Sequence, residues 1–518
     1  MKQLALDTQS FEKLRSRNCL YVDKTEVIHR MITDGRIYFL SRPRRFGKSL
    51  LVSTLEAIFQ GKKNLFEGLY IYDKWDWEQQ YPVIIIDWTK INHSTPKEMK
   101  ESLVLCLKKI AENYQIILEA KSAIDYFSDL IEALHKKTGK DVVILIDEYD
   151  KPITAHLSDS NLKAFQTAIH DFYQVIKGAD EFLKLVFLTG VSRFSGLSIF
   201  SALNNPQDIT LQEEYAAICG YTQEELESNF SEHIDRAAEY LNMTGEETLE
   251  QIRYWYNGYT WDGKTAIYNP FSTMKFFQNR RFTDYWFRSG TPTFLMDMIR
   301  SRNRSDAVLE PIVVDEKIFD GYDPAGTGEI SLLFQTGYLT IKKMELIGGF
   351  ARYTLGVPNM EVKEALVEHL LSAYSENNIE TIHSMIPKIQ SQIYEGKTAA
   401  LEQSLRSLLA HIPNNLHVEN ESYYHSLFLF LMATLGFDIQ GEVLTNIGRI
   451  DAVWRQAGLT VVAEIKYSAK KKIDNLLNSA MRQIRKRKYY ETYLNDTKVM
   501  LMAIAFTEKE IKCRMSRI

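Results

Sequence analysis

The 518-residue chain has only four cysteines, Cys19, Cys106, Cys219 and Cys513. They are scattered, so neither a disulfide framework nor a thiolate metal centre can be built from them. No apolar run approaches the roughly 20 residues that span a bilayer, which predicts no membrane partner. The opening Met1-Lys2-Gln3-Leu4-Ala5-Leu6-Asp7 lacks the apolar stretch of a secretory signal. Together these absences predict a cytoplasmic protein. An excess of basic charge is missing too. The formal net charge is −5, so any nucleic-acid binding has to come from a local patch. What remains, 45% hydrophobic and 25% charged residues, is an ordinary globular composition, and the length predicts about three domains.

The stretch that organises the chain is Ser41-Arg42-Pro43-Arg44-Arg45-Phe46-Gly47-Lys48-Ser49. An apolar run, Arg36 to Leu40, precedes it and reads as a buried strand. Apolar residues at helical spacing follow it from Leu50 to Phe59, until Gly61. Strand, tight loop ending Gly-Lys-Ser, and helix are the context of a phosphate-binding P-loop. Backbone N–H groups of Arg45, Phe46 and Gly47 would face the phosphates of ATP, Lys48 would add charge, and Ser49 would ligate Mg²⁺. The general pattern G-x-x-x-x-G-K-[ST] would place glycine where Arg42 stands. That substitution removes the residue most at ease with a positive φ.

A second motif supports the first. Asp141-Val142-Val143-Ile144-Leu145-Ile146-Asp147-Glu148 is an apolar run ending in acids, the form of a Walker B strand in a parallel sheet. Asp147 would hold Mg²⁺ and Glu148 would polarise the attacking water. The plainer alternative is a buried strand with solvated carboxylates at its end. Further apolar strands at 81–87 and 183–190 alternate with helical stretches at about 96–118, 122–138 and 161–177, which predicts a doubly wound α/β layer. Thr189, Ser192 and Arg193 fall at its carboxyl edge, where a polar residue can sense the γ-phosphate. Arg193, Arg42, Arg44 and Arg45 are all open candidates for a phosphate-sensing arginine.

From about 205 to 300 the pattern becomes helical and aromatic. Trp255-Tyr256-Asn257-Gly258-Tyr259 and Tyr268-Asn269-Pro270-Phe271-Ser272 could stack bases, but at helical spacing aromatics are more often core. A helix, a Gly348-Gly349 turn and two flanking strands then suggest a winged-helix-like unit. Helices fill about 360–410, and Pro413-Asn414-Asn415 is the best linker. The expected domains are residues 1–205, 206–412 and 413–518.

The last hundred residues carry a second constellation. Gly448-Arg449-Ile450-Asp451-Ala452-Val453 and Thr460-Val461-Val462-Ala463-Glu464-Ile465-Lys466 read as two strands joined at Gln456-Ala457-Gly458. Glu464 and Lys466, two apart, share one face of an apolar strand, and Asp451 can meet them. Two carboxylates and a lysine make a Mg²⁺ site with a charge to steady a nucleophilic water. An internal Glu–Lys ion pair is the structural alternative. From Lys466 to Lys488 nine Lys/Arg stand against one acid, Asp474. Beside a metal site in an acidic chain, such a run reads as a track for the phosphate backbone of nucleic acid.

These motifs, with Tyr21-Val22-Asp23-Lys24-Thr25, Asp147-Glu148-Tyr149-Asp150-Lys151-Pro152 and Leu188-Thr189-Gly190-Val191-Ser192-Arg193-Phe194, resemble those of a bacterial family. Its members join an AAA-ATPase-like domain to a PD-(D/E)XK nuclease-like domain, and the resemblance covers nearly the whole chain. It implies a P-loop NTPase parallel sheet, a helical, winged-helix-like middle and a C-terminal α/β restriction-endonuclease-like domain. Arg42 in place of glycine is typical of that family. The resemblance also implies that Asp451 and Glu464 bind the metal and that Lys466 is the catalytic lysine. Glu421 becomes the accessory acid, with nearby Glu419 left open, and Gln483 the polar position on the following helix. The implied activity is ATP-regulated, Mg²⁺-dependent cleavage of DNA, with defence against mobile DNA suggested by analogy. The rival is a nucleotide-switched protein that binds DNA or a partner without cutting. Self-association is compatible with either.

Overall fold

The computed structural model describes residues 1–120, 122–157, 161–194, 206–286, 311–319, 321, 328–366, 379–409, 424, 428, 432, 437–445, 448–456, 458–494, 496, 498–507 and 510–518. Glu419, Glu421, the linker Pro413-Asn414-Asn415 and the boundary expected at residue 205 lie outside the described residues. The chain divides into two compact units, Met1–Trp286 with Val313–Met360, and Phe287–Ile312 with Glu361–Ile518. No helix among the described residues is long and apolar enough to cross a membrane.

The first unit is built on a parallel sheet of β1 (Ile37–Ser41), β2 (Val83–Asp87), β3 (Val142–Asp147), β4 (Leu183–Gly190) and β5 (Gln207–Asp208). Their order is β2-β3-β4-β1-β5, so β4 separates the P-loop strand from the acidic strand. All six residues of β3 are buried, because helices cover the sheet. Ile144 and Ile146 meet Leu103 of the helix Pro96–Asn113, Leu130 of Ala123–Thr138 and Phe172 of Leu162–Gly178 in one core. The helix Lys48–Phe59 packs against β3 and β4. The α/β layer expected from the alternation of patterns is there. The first of these helices ends at Asn113 rather than 118. Gln115 takes φ +52° and Ile116 N–H turns back to Ala111 O, which closes the helix.

Downstream, Gln223–Leu241 and Gly245–Tyr256 each begin in a capping box, Thr222/Glu225 and Thr244/Glu247. Asn269 caps Pro270–Asn279, with Pro270 at the tolerated first position. Tyr256, Tyr259 and Tyr268 are buried, so the aromatic motifs form core rather than a stacking platform. The helix Glu329–Thr336 is followed by a sheet of β6 (Ile312–Asp315), β7 (Thr340–Ile347) and β8 (Phe350–Gly356), in the order β6-β8-β7. Gly348 and Gly349, at φ +61° and +85°, make the hairpin turn.

The second unit holds a mixed sheet of β9 (Asp438–Thr445), β10 (Gly448–Gln456), β11 (Leu459–Tyr467), β12 (Lys498–Phe506) and β13 (Ile511–Arg517), ordered β13-β12-β11-β10-β9. Only β11 and β12 run parallel, and the helix Ile473–Arg487 makes the crossover between them. Leu476, Leu477, Ala480 and Ile484 of that helix pack on Val462 and Leu501. Tyr424, Phe428 and Met432 are helical and buried, with the Tyr424 ring stacked on Tyr467.

Candidate ATP and metal sites

The P-loop obtains its shape from two left-handed residues, Arg45 at φ +71° and Gly47 at φ +93°. A Cβ on Gly47 would meet open space, so glycine is needed there for backbone conformation. Arg42 is not among the positive-φ residues; its role is an anchor. Fully buried, its guanidinium donates to the carbonyls of Ser41, Thr210 and Tyr215 and lies 4.0 Å from the Trp261 ring centroid. Loss of water pushes its pKa down to about 10. Committed to three carbonyls, Arg42 is not placed to sense phosphate. Phe46 turns its ring away into Tyr259 and Trp261, leaving its backbone for the loop. Arg45 covers the face of Phe271 at 4.4 Å. The carbonyl of Arg44 accepts from Trp286 Nε1.

Lys48 is buried, with Nζ donating to Arg42 O and Pro43 O and standing 3.6 Å from Glu148 Oε1. Glu148 takes φ +53°, a strained conformation for a residue with a side chain. Asp147 receives the Ser49 hydroxyl, while its Oδ1 is buried with no hydrogen-bond partner. That orphaned oxygen beside Ser49 suits a hard cation. Burial, more than the neighbouring Glu148 and Asp87, raises the Asp147 pKa to about 6, against the opposing Ser49 and Lys48.

Asp150, quoted in the sequence without a role, ties the edge of the sheet together. Its carboxylate accepts from Val191 N–H and Ser192 N–H, and the Tyr149 hydroxyl donates to Ser192 O at 2.7 Å. A Cβ on Gly190 would sit 2.4 Å from Asp150 Oδ1 and 2.6 Å from the Tyr149 ring, so only glycine fits there. Burial raises the Asp150 pKa as well.

The raised Asp147 pKa has a stability consequence. A carboxyl whose folded pKa exceeds its ordinary 3.8 contributes stability below that value and loses it as pH rises through about 6. The melting temperature of the ligand-free wild type, minus that of Asp147→Asn, is therefore expected to fall between pH about 4 and about 6. A difference independent of pH over that window would contradict the buried-acid assignment.

A cavity of about 300 Å³ opens beside the P-loop, lined by Arg44 to Ser49 and Glu148. Residues from the N-terminal segment and from positions 218–221 and 270–274 complete it. Sequence reasoning missed these, because nothing local marks them as neighbours of the loop. Thr189 and Arg193 stand apart from this wall. The Thr189 hydroxyl donates to Leu40 O inside the sheet. Arg193 pairs with Asp208 at 3.4 Å, takes the Gln335 side chain on its N–H, and lines a separate cavity of about 200 Å³. Both lie at the carboxyl end of β4, as expected, but neither lines the P-loop cavity.

In the second unit, the register pairing Ala452 with Ala463 puts Asp451 opposite Glu464. Asp451 Oδ2 accepts from Ile465 N–H at 2.7 Å, which fixes the carboxylate against β11. Glu464 is fully buried, and Lys466 Nζ lies 2.9 Å from its Oε1. By alternation Glu464 and Lys466 share the face of Val462, the one that packs on the helix Ile473–Arg487. Gln483 is half-buried on that helix. Among the described residues no group of three or more His, Cys, Asp or Glu gathers around a point. Two carboxylates still fit Mg²⁺, which keeps much of its water and needs only one or two. Lys470, Lys471, Lys472, Arg482, Arg485, Lys486, Arg487 and Lys488 are exposed around the same helix. Arg485 donates to Ser516, and Lys488 pairs with Glu491.

Comparison with known proteins agrees with this layout. Residues 5–200 match a family described as predicted AAA-ATPase, and residues 419–515 match the PD-(D/E)XK nuclease superfamily. The chain is also 36% identical over 463 residues, 87% of its length, to an "Uncharacterized protein in vnfD 5'region" of Azotobacter chroococcum mcd 1, covering 86% of that relative. The chain belongs to this family. The two matched domains, in this order along the chain, suggest the potential for both ATPase and nuclease chemistry. The P-loop cavity falls to the first domain and the Asp451–Glu464–Lys466 cluster to the second.

Proposed function

We propose that the protein is an ATP-hydrolysing, Mg²⁺-dependent nuclease that cleaves DNA phosphodiesters, with foreign or mobile DNA as the substrate suggested by family resemblance. The observation that carries the nuclease reading is Asp451 opposite a fully buried Glu464, with Lys466 2.9 Å from it. A buried acid on an apolar strand costs too much to keep without a partner or a task. Asp451 and Glu464 would hold Mg²⁺, which supplies Lewis-acid activation of water and phosphoryl oxygen. Lys466 would hold the nucleophilic water or the charge that develops on phosphorus, and Gln483 would position that water.

In the first domain, Lys48 and the N–H groups of Arg45 to Gly47 hold the phosphates, Ser49 and Asp147 the metal, and Glu148 the attacking water. Glu148 stands 3.6 Å from Lys48, close enough for both to serve one γ-phosphate. The ion pair between Lys466 and Glu464 also suits a switch protein that binds without cutting, since the opposite charge offsets part of the cost of burying the acid. Incubating the protein with plasmid and single-stranded DNA, with Mg²⁺ or Mn²⁺ and with or without ATP, separates the two. Metal-dependent cleavage supports the nuclease, and binding without cleavage supports the switch.

The basic helix surface would track the DNA backbone. Charge reversal across Arg485, Lys486, Arg487 and Lys488 is expected to weaken DNA binding. It should also flatten the salt dependence by about one unit of slope per lost phosphate contact. Fluorescence anisotropy over a salt series measures both. An unchanged slope would assign these residues to a solvated helix face.

A further inference from the structure

The sheet of β6, β8 and β7 ends on β7, and among the described residues no strand pairs with its outer edge. Gly348 and Gly349 close the hairpin on the pair Ile347 and Phe350, which therefore exchange backbone hydrogen bonds. Alternation along an antiparallel ladder then turns the N–H and C=O of Leu346 and Met344 outward, away from β8. Thr260 reaches this edge at its start, where its hydroxyl donates to Ile341 O. Beyond that point the edge is apolar and open. Met344 is 47% exposed, Leu346 73% and Ile347 60%, and no proline interrupts the strand. Such an edge is a template for another strand. Its charges say which strand. Lys343 Nζ lies 2.8 Å from Glu345 Oε1, so one base and one acid flank Met344 on the same face. Laid antiparallel on itself about a two-fold axis through Met344, the stretch is its own complement. Lys343 falls opposite the other copy's Glu345, and Glu345 opposite its Lys343. Moving the axis by one residue sets Lys343 against Lys343, or Glu345 against Glu345, so the charges select a single register.

We propose that β7 is a homodimer interface, in which two copies of the chain pair edge to edge about Met344 and join their sheets into one. A two-fold axis perpendicular to the sheet keeps Met344 and Leu346 of both copies on one face, where they cover one another. On the opposite face the two Lys343–Glu345 pairs merge into a network of four alternating charges. The turn that comes nearest the other copy's Thr260 is Gly348-Gly349, which brings no side chain. An interface one strand wide fits reversible association, with a dissociation constant on the order of micromolar. The pairing needs neither nucleotide nor DNA, so it stands or falls apart from both activities proposed above.

Sedimentation velocity of the full-length protein between about 1 and about 100 µM tests this. Wild type is expected to move from 60.1 kDa toward twice that mass across the series. Glu345→Lys, which sets ammonium groups opposite one another, should weaken dimerisation by at least about tenfold. Exchanging the pair, Lys343→Glu with Glu345→Lys, should restore it to within about threefold of wild type, a rescue that a merely destabilised hairpin would not give. Met344→Cys should form a disulfide between copies under mild oxidation, because residues in a hydrogen-bonded pair have Cα atoms about 5.5 Å apart. Glu345→Cys should not, since the two copies of that position lie out of register by two residues. A protein that stays monomeric throughout, or a dimer that Glu345→Lys leaves intact, would overturn the proposal. Cross-linking through Glu345→Cys in place of Met344→Cys would overturn it as well, by putting the axis elsewhere.

Discussion

Alanine at Asp451 or Glu464 is expected to abolish metal-dependent DNA cleavage while leaving DNA affinity equal or higher. Glu464 is fully buried and Asp451 is fixed by Ile465 N–H, so neither carboxylate can be replaced by a neighbour swinging in. Opposed carboxylates repel, and a cation between them removes that cost. Taking either away should lower the cleavage rate by at least about 10²-fold, the scale of losing one preorganised charge-stabilising group. It also removes negative charge from the path of a phosphate backbone, hence the equal or better binding. Lys466→Ala should lose cleavage as well, with at most a small loss of affinity. Plasmid nicking measures the first quantity and anisotropy the second. Cleavage that persists undiminished in all three variants would place the active site elsewhere. A wild type that never cleaves, with Asp451→Ala altering stability alone, would favour the switch.

Lys48→Ala is expected to abolish ATP binding, by about 10²-fold or more, since a buried charge facing phosphate is worth several hydrogen bonds to an ion. The ammonium is buried and already aimed by Arg42 O and Pro43 O, so little ordering remains when phosphate arrives. Glu148→Gln keeps the shape and removes the negative charge. It should therefore retain ATP affinity and lose turnover. Equal affinity in wild type and Lys48→Ala would remove the P-loop from the account. Full hydrolysis by Glu148→Gln would assign water activation to another residue.

Much of this molecule was legible in its sequence where one stretch of chain carries both structure and chemistry. The P-loop, the acidic end of β3 and the Asp451–Glu464–Lys466 set are local patterns, and the structure brings each set to one place. Arg193 reads from the sequence as a candidate phosphate sensor at the carboxyl edge of the sheet, with no partner in view. Its partner Asp208 belongs to β5, a two-residue strand too short to leave a periodic signal. The run Val499 to Phe506 fills β12 after Lys498, beside the strand β11 that carries Glu464 and Lys466, yet holds no polar residue to draw notice. Leu6, Phe271 and Met274, which help line the P-loop cavity, escaped for a related reason. Half-buried apolar side chains look like core until the cavity they line is visible.

Arg42 shows how a loop can be rigid without the glycine its pattern calls for. Three carbonyls, one of its own strand's end and two from positions 210 and 215, all point at one guanidinium, with Trp261 stacked against it. Position 42 is therefore locked in by its surroundings. Restoring the textual consensus there with Arg42→Gly would strand the carbonyls of Ser41, Thr210 and Tyr215 in a dry interior and open a void beside Trp261. A mutational path from this loop to the glycine form has to rebuild the 210–215 turn and the tryptophan's packing together. The first position of the motif and a turn about 170 residues away thus change as one unit or not at all.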